Sequence, residues 1–444
     1  MDVVDTGYAK TADGVYIAYQ VIGDGPIDVV TQTDWPGNID FEREEPLGAT
    51  WASAVSSFAR LIYHDRRGIG LSSRNVDLPN LETRVTDLLA VLDAVGSERP
   101  VLTGVFESGS PNALLAATRP DRVASMVWME PDPRFAWAPD YPWGRTDADI
   151  ERELDDIEHW GTLEYGRRFV ADEASRGNEI TIDWSTWIVK ASRNACTPDV
   201  ARALAKIWYE SDVRAVLPSI QVPTLLLTKA HRPPDVAQAE YVRSLIPGAE
   251  LRTFPPGPWG VDDLRWAAEQ IRSFAGVERA PSPFDSILAT VLFTDIVGST
   301  EKQASLGDHA WKDLAEQHHA VVRDSLGRWR GVEIDTAGDG FYATFDGPAR
   351  AVRAAQEVGR RVRDLGIEIR AGVHTGECEV IDGKIGGLAV SIGARVASIA
   401  RPSDVLVSQT VKDLTAGSGF TFEDAGDHEL KGVPDRWHLY RVVG

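Results

Sequence analysis

The chain has 444 residues, more than one ordinary domain holds, so two or three domains are expected. Hydrophobic residues make up 43% and charged residues 25%, a globular balance that excludes disorder over most of the length. The net charge of -21, from 67 acidic against 46 basic residues, excludes a nucleic-acid binder relying on a broad positive surface but leaves room for a small anion held locally.

The first block alternates two kinds of segment. IDVVTQT (27–33), RLIYHD (60–65), RPVLTGV (99–105), VASMVWME (123–130) and VPTLLLTKA (222–230) are short, apolar and bounded by turn or polar signals, which predicts buried strands. Between them, LETRVTDLLAVLDAVG (81–96) and PNALLAATRP (111–120) have amphipathic helical patterns. Strand–helix alternation predicts a parallel, doubly wound α/β sheet. Residues 132–217 break the rhythm; they are Trp-rich and helical in pattern, as an inserted cap would be. The Pro-containing stretch GVERAPSPFD (276–285) reads as a linker between a domain at 1–275 and another at 286–444.

In the second block, TVLFTDI (290–296), EIDTAGDGFYATF (333–345), IEIRAGVHTGECEVI (367–381), DVLVS (404–408) and HLYRVV (438–443) read as strands. Residues 309–329 and 347–366 read as helices. The order is βαββαβ-like, an α+β arrangement of ferredoxin type with helices on one face of an antiparallel sheet.

Cys196 and Cys378 stand far apart, without CxxC spacing. That pattern predicts neither zinc nor a disulfide framework and fits a reducing cytoplasm. The opening MDVVDTGYAK has no basic region followed by an apolar stretch, which predicts no secretory signal. No window approaches about 18 uninterrupted apolar residues, so no membrane span is expected.

DRRGIGLSS (65–73) and the strand-to-helix turn GVFESG (104–109) give the first block its resemblance to the α/β-hydrolase family, over about residues 5–275. The family's nucleophile elbow is G-x-S-x-G, in which small neighbours allow a strained turn that projects a serine hydroxyl. Here Phe106 stands at the nucleophile position and Ser108 at the second glycine. By the same resemblance, His231 falls nearest the acid position after VPTLLLTKA. Trp259, in PPGPWG (255–260), falls nearest the base position. A triad needs all three groups together. The resemblance therefore implies a retained fold without chemistry, serving as scaffold or sensor. Two further readings stay open: a serine hydrolase with Ser108 as a shifted nucleophile, and a surviving pocket for a small apolar ligand that regulates the second block.

The second block carries chemistry. FTDIVGST (293–300) places Asp295 at the end of an apolar strand, and AGDGFYATF (337–345) places Asp339 between glycines at a hairpin-like turn. Two aspartates at adjacent strand tips suit a pair of Mg²⁺ or Mn²⁺ ions, with triphosphate completing the shell. Residues Ile296, Val297, Gly298, Ser299 and Thr300 can offer backbone N–H groups to phosphate as the next helix begins.

With AGVHTGE, VSIGARV and HELKGV following in order, residues 286–444 resemble the catalytic domain of class III nucleotidyl cyclases. The resemblance implies a phosphorus–oxygen lyase of adenylate cyclase type. The ribose 3′-hydroxyl attacks the α-phosphorus of a nucleoside triphosphate, giving a 3′,5′-cyclic nucleotide and pyrophosphate. It implies Asp295 and Asp339 as ligands of two ions per site, with the Ile296 carbonyl assisting, Arg395 stabilising phosphate charge and Lys431 contacting the triphosphate. It also implies a homodimer, because the family's sites form between two such domains.

Three positions depart from the adenylyl pattern. Asp335 replaces the base-reading lysine, Lys384 the base-reading acid, and Ser391 the asparagine that orients the ribose. The inverted pair matches guanine on paper; ATP remains the expected substrate, with a guanylyl or relaxed-specificity cyclase and a nucleotide-binding pseudoenzyme as alternatives.

Overall fold

The computed structural model describes residues 4–33, 35–175, 183–229, 233–257, 259–275, 286–381 and 384–443. The chain divides into two compact units, Met1–Ser282 and Pro283–Gly444. The stretch 276–285, read as a linker, lies outside the described residues, as does His231.

The N-terminal unit holds β1 (Thr6–Lys10), β2 (Tyr16–Ile22), β3 (Asp28–Gln32), β4 (Arg60–His64), β5 (Val101–Val105), β6 (Ser125–Met129), β7 (Thr224–Lys229) and β8 (Glu250–Phe254). They form one sheet in the order β1-β2-β4-β3-β5-β6-β7-β8. The pairs from β4 through β8 are parallel, and β2 runs antiparallel to both β1 and β4. β6 and β7 are buried along their whole length, as strands covered on both faces must be. The helices are α1 (Ile39–Glu44), α2 (Pro46–Ser56), α3 (Leu81–Ala94), α4 (Gly109–Thr118), α5 (Asp147–Asp156), α6 (Leu163–Ser175), α7 (Trp184–Ala195), α8 (Pro198–Glu210), α9 (Pro233–Leu245) and α10 (Val261–Ala275). Helix α3 starts where Asn80 accepts a hydrogen bond from the Thr83 N–H at 2.8 Å, and it buries Leu81, Val85, Leu88 and Leu92 as one stripe. Helices α5 to α8 lie between β6 and β7. Phe135, Trp160, Leu204 and Tyr209 pack there against Ile69 of the sheet domain.

The C-terminal unit holds β9 (Ser286–Ile296), β10 (Val332–Ala337), β11 (Gly340–Phe345), β12 (Ile369–Ile381), β13 (Lys384–Gly386), β14 (Val405–Ser408), β15 (Phe422–Glu429) and β16 (Arg436–Val442). The sheet order is β10-β11-β9-β12-β14-β16-β15, with β13 paired to β12. Among the described strands of this unit, only β12 with β14 is a parallel pair. The helices are α11 (Ser299–Leu306), α12 (Asp308–Arg328), α13 (Pro348–Arg361), α14 (Leu388–Ile399) and α15 (Gln409–Leu414).

The sequence predicts helices on one face of this sheet, but the structure covers both. β9 alternates: Leu292 and Ile296 join Val322 of α12 and Val352 and Val358 of α13 in one core, while Ala289 and Val291 pack with Ala389 of α14 in another. A strand that is apolar on both sides needs a cover on each. α14 lies so close to β9 that a Cβ built on Gly393 would sit 2.5 Å from Val291 Cγ2. EIDTAGDGFYATF is two strands, β10 and β11, turning at Gly338 and Asp339.

Candidate functional site

Asp295 stands at the end of β9, directly across from Arg370 on β12. Arg370 donates from Nη2 at 2.5 Å and from Nε at 3.0 Å to the same carboxylate oxygen, Oδ2. Each of the two side chains is 36% exposed, so the pair is partly solvated and weakly stabilising. Asp339 occupies the β10–β11 turn, and its Oδ2 accepts the backbone N–H of Ile296 at 3.3 Å. The amide next to Asp295 thus ties the second carboxylate to the tip of β9. His319 of α12 sits with Nε2 3.0 Å from the Gly338 carbonyl, bracing the same turn.

A cleft with about 490 Å³ of open space runs from this tip to α14. Asp295, Asp335, Arg370, Ser391 and Arg395 all line it. Ser391 and Arg395 are four residues apart on α14 and so present one face. Arg395 donates from Nε to the Lys431 carbonyl at 3.0 Å, which holds the loop after β15 against α14. Asp335, beside an irregularity in the β10–β11 register, is exposed; its Oδ1 accepts from the Thr336 N–H at 2.9 Å. Phe293 and Tyr342 stack in the cleft wall, ring centroids 4.7 Å apart, and the Tyr342 hydroxyl donates to the Ile385 carbonyl at 3.0 Å. Residue 384 begins β13, but the Lys384 side chain lies outside the described residues.

Val297 and Gly298 lead into α11, which begins at Ser299 and Thr300 without a side-chain cap, leaving its first N–H groups for another acceptor. Among the described residues no group of three or more His, Cys, Asp or Glu side chains forms a self-sufficient metal cluster. The donors at the β9 tip are two carboxylates, all oxygen. They fit a hard divalent cation but are too few for an octahedral shell, so further oxygen ligands would have to complete it. Arg370 escaped the sequence reading, although AGVHTGE begins immediately after it.

In the N-terminal unit the elbow keeps its shape and loses its nucleophile. Phe106 holds φ +46°, the strained position of the turn, with its ring 46% exposed. A Cβ on Gly109 would meet Trp128 at 2.2 Å, so the turn fits only with glycine there. Ser108 is buried, and its hydroxyl donates to the Val105 carbonyl and accepts the Val105 N–H, both at 2.7 Å. That hydroxyl is occupied in closing the turn. Trp259 packs edge-on against Phe254, at 5.3 Å between centroids, and offers no base. At the end of β7, Lys229 pairs with Asp263 at 2.6 Å, both buried.

Residues 281–444 match the family described as the adenylate and guanylate cyclase catalytic domain. The chain thus carries a cyclase catalytic domain at 281–444, preceded by an α/β-hydrolase-like region. A receptor-type adenylate cyclase of Trypanosoma brucei brucei is 27% identical over 217 residues, covering 37% of this chain and 17% of that protein. The chain therefore spans about a sixth of the length of that relative. A pimeloyl-[acyl-carrier protein] methyl ester esterase of Nitrosomonas europaea is 28% identical over 250 residues, 54% of this chain and 90% of that one. An esterase structure from Exiguobacterium antarcticum superposes with a TM-score of 0.51 at 20% identity, covering 61% of this chain and 99% of that one, a likeness of fold. Among the described residues no helix is long and apolar enough to cross a membrane.

Proposed function

We propose that the chain is a homodimeric class III nucleotidyl cyclase that converts ATP to 3′,5′-cyclic AMP and pyrophosphate, with a non-catalytic N-terminal unit as sensor or scaffold. The observation that carries this reading is the β9 tip, where Asp339 is hydrogen-bonded to the amide beside Asp295 at the mouth of a cleft that also holds Arg395 and Ser391. Asp295 and Asp339, with the Ile296 carbonyl, would hold two Mg²⁺ or Mn²⁺ ions. When bound, these supply positive charge that lowers the pKa of the attacking hydroxyl and eases departure of pyrophosphate.

The chain's own groups do the rest. The uncapped start of α11 receives phosphate oxygens on backbone N–H groups. Arg395 is held at the Lys431 backbone, and the two cations stabilise charge that grows on the phosphates, the arginine through its planar fork. Arg370, which donates to Asp295, would be left free to face a phosphate oxygen if that carboxylate held a cation instead. Ser391 donates to the ribose region with a shorter reach than an amide, so turnover is slow. A second chain completes each site by two-fold symmetry. The cytoplasm suits a chain whose two cysteines are both free and buried.

A second reading, GTP as substrate, is favoured by Asp335 in the cleft lining, because a carboxylate accepts from the guanine N1 and N2 donors. Turnover on ATP and GTP side by side, with Mn²⁺ and then Mg²⁺, tests both. Cyclic AMP as main product supports the first reading and cyclic GMP the second. Neither product from a dimeric preparation with Mn²⁺ overturns the assignment.

A further inference from the structure

The elbow of the N-terminal unit hides a cluster that the cyclase reaction does not use. Glu107, the residue after Phe106, is buried, and its two oxygens accept from two arginines, Arg66 on Oε1 and Arg84 on Oε2, the latter at 2.5 Å. Side-chain exposures are 6% for Arg66, 11% for Arg84 and 7% for Glu107. Burial alone would raise the Glu107 carboxyl, but Arg84 and then Arg66 outweigh it and hold the group below the usual range. One anion touches two cations; Asp87, paired with Arg67, acts on Arg84 from further off.

The hydrogen-bond inventory points the same way. Arg66 Nε and Nη2, Arg84 Nε and Gln32 Nε2 are buried with no acceptor, while Gln32 Oε1 is used by Arg84 Nη2 at 3.3 Å. All four orphans are donors, and both Glu107 oxygens are taken. A cavity of about 20 Å³ is lined by Arg66, Arg84 and Glu107, by Leu204, Ile207 and Trp208 of α8, and by Ser110 and Ser211. That is room for about one water-sized group. A water would answer a donor or two but not the two guanidinium charges; an anion answers both.

We propose that this cavity binds a single halide ion between Arg66 and Arg84, the monoanion nearest to a water in size. The N-terminal unit then differs from a hydrolase not only by losing a nucleophile but by turning the floor beneath the elbow into an anion receptor. The inference is independent of the cyclase reading.

The test is thermal unfolding of the full chain at constant ionic strength in a bulky sulfonate salt, with added bromide, or with acetate as an anion too large for the cavity. A saturable rise in Tm of about 2–4 °C is expected for bromide and none for acetate. An equal rise with acetate would overturn the site. Arg84→Gln and Arg66→Gln, each checked by circular dichroism, should lose the shift. If one fails to fold, the other carries the test. Should both fail, anomalous scattering from bromide-soaked crystals of the unaltered protein decides, with a peak between the arginines expected. No shift with bromide, an unchanged shift in a folded variant, or ordered water without anomalous signal would overturn the proposal.

Discussion

Arg370 grips Asp295 from the neighbouring strand through one oxygen only, with Nη2 at 2.5 Å and Nε at 3.0 Å from Oδ2. A cation bound at this carboxylate must compete with that guanidinium. Arg370→Gln should therefore lower the Mn²⁺ concentration for half-maximal activity while cutting kcat/KM by about 10²-fold, the scale of one lost phosphate or oxyanion donor. Asp339→Ala should reduce turnover to background. Metal titrations of cyclic nucleotide formation check both, and undiminished turnover in Asp339→Ala would refute the metal assignment.

Ser391 lies in the cleft four residues before Arg395, where the resemblance to class III cyclases implies an asparagine. Ser391→Asn restores the longer reach. Its expected effect is a rise in kcat of about 10-fold or more with little change in KM, since the interaction is made mainly in the transition state. Steady-state kinetics separate the two constants, and a change confined to KM would assign Ser391 to ground-state binding.

Asp335 offers the cleft an acceptor, whereas a lysine there would offer a donor. Asp335→Lys should move the ATP:GTP ratio of kcat/KM towards ATP by about 10-fold, on the scale of one base-edge hydrogen bond. An unchanged ratio would mean that residue 335 does not read the base.

The elbow predicts an outcome for esterase assays. Phe106→Ser puts a hydroxyl at the strained position, yet Trp259 supplies no base and Ser108 stays bonded to Val105. Hydrolysis of a short acyl ester should remain at background, because a triad works only as a set. Ser108→Ala should cost about 1 kcal/mol of stability through the two lost hydrogen bonds, measurable by denaturant unfolding.

His374 supplies a pH signature for the cyclase unit. Burial holds it at about 4, below its ordinary value near 6.5, with its Nδ1 2.8 Å from the Ser408 hydroxyl. The folded state keeps it neutral while the unfolded chain protonates first. The stability it contributes is full above about 6.5 and is lost as pH falls towards about 4. Tm measured across that window should fall in the unaltered protein and fall less steeply in His374→Gln. Parallel slopes would exclude His374 as the titrating group.

The placement of Asp295 and Asp339 was legible because their surroundings are local: an apolar strand ending at Asp295, and Asp339 set between glycines at a turn. The central strands were legible for the same reason, as short apolar runs. Helix α14 on the second face of the sheet was not, because a single sequence does not say which side of β9 a helix covers. The β1–β2 hairpin was missed, although Asp13–Gly14 is a turn signal, and so was β15, whose FEDAGDHE is mostly polar and exposed. Arg370 with Asp295, and Arg66 and Arg84 with Glu107, meet only through tertiary folding, so no spacing rule finds them.

The bare Cα at residue 393 sets how closely the two walls of the cleft approach. It lets the helix bearing Ser391 and Arg395 rest against the Val291 and Phe293 side chains of the strand bearing Asp295. One added methyl would act as a shim, prising the wall that carries Ser391 and Arg395 away from the wall that carries Asp295 without touching a polar group in either.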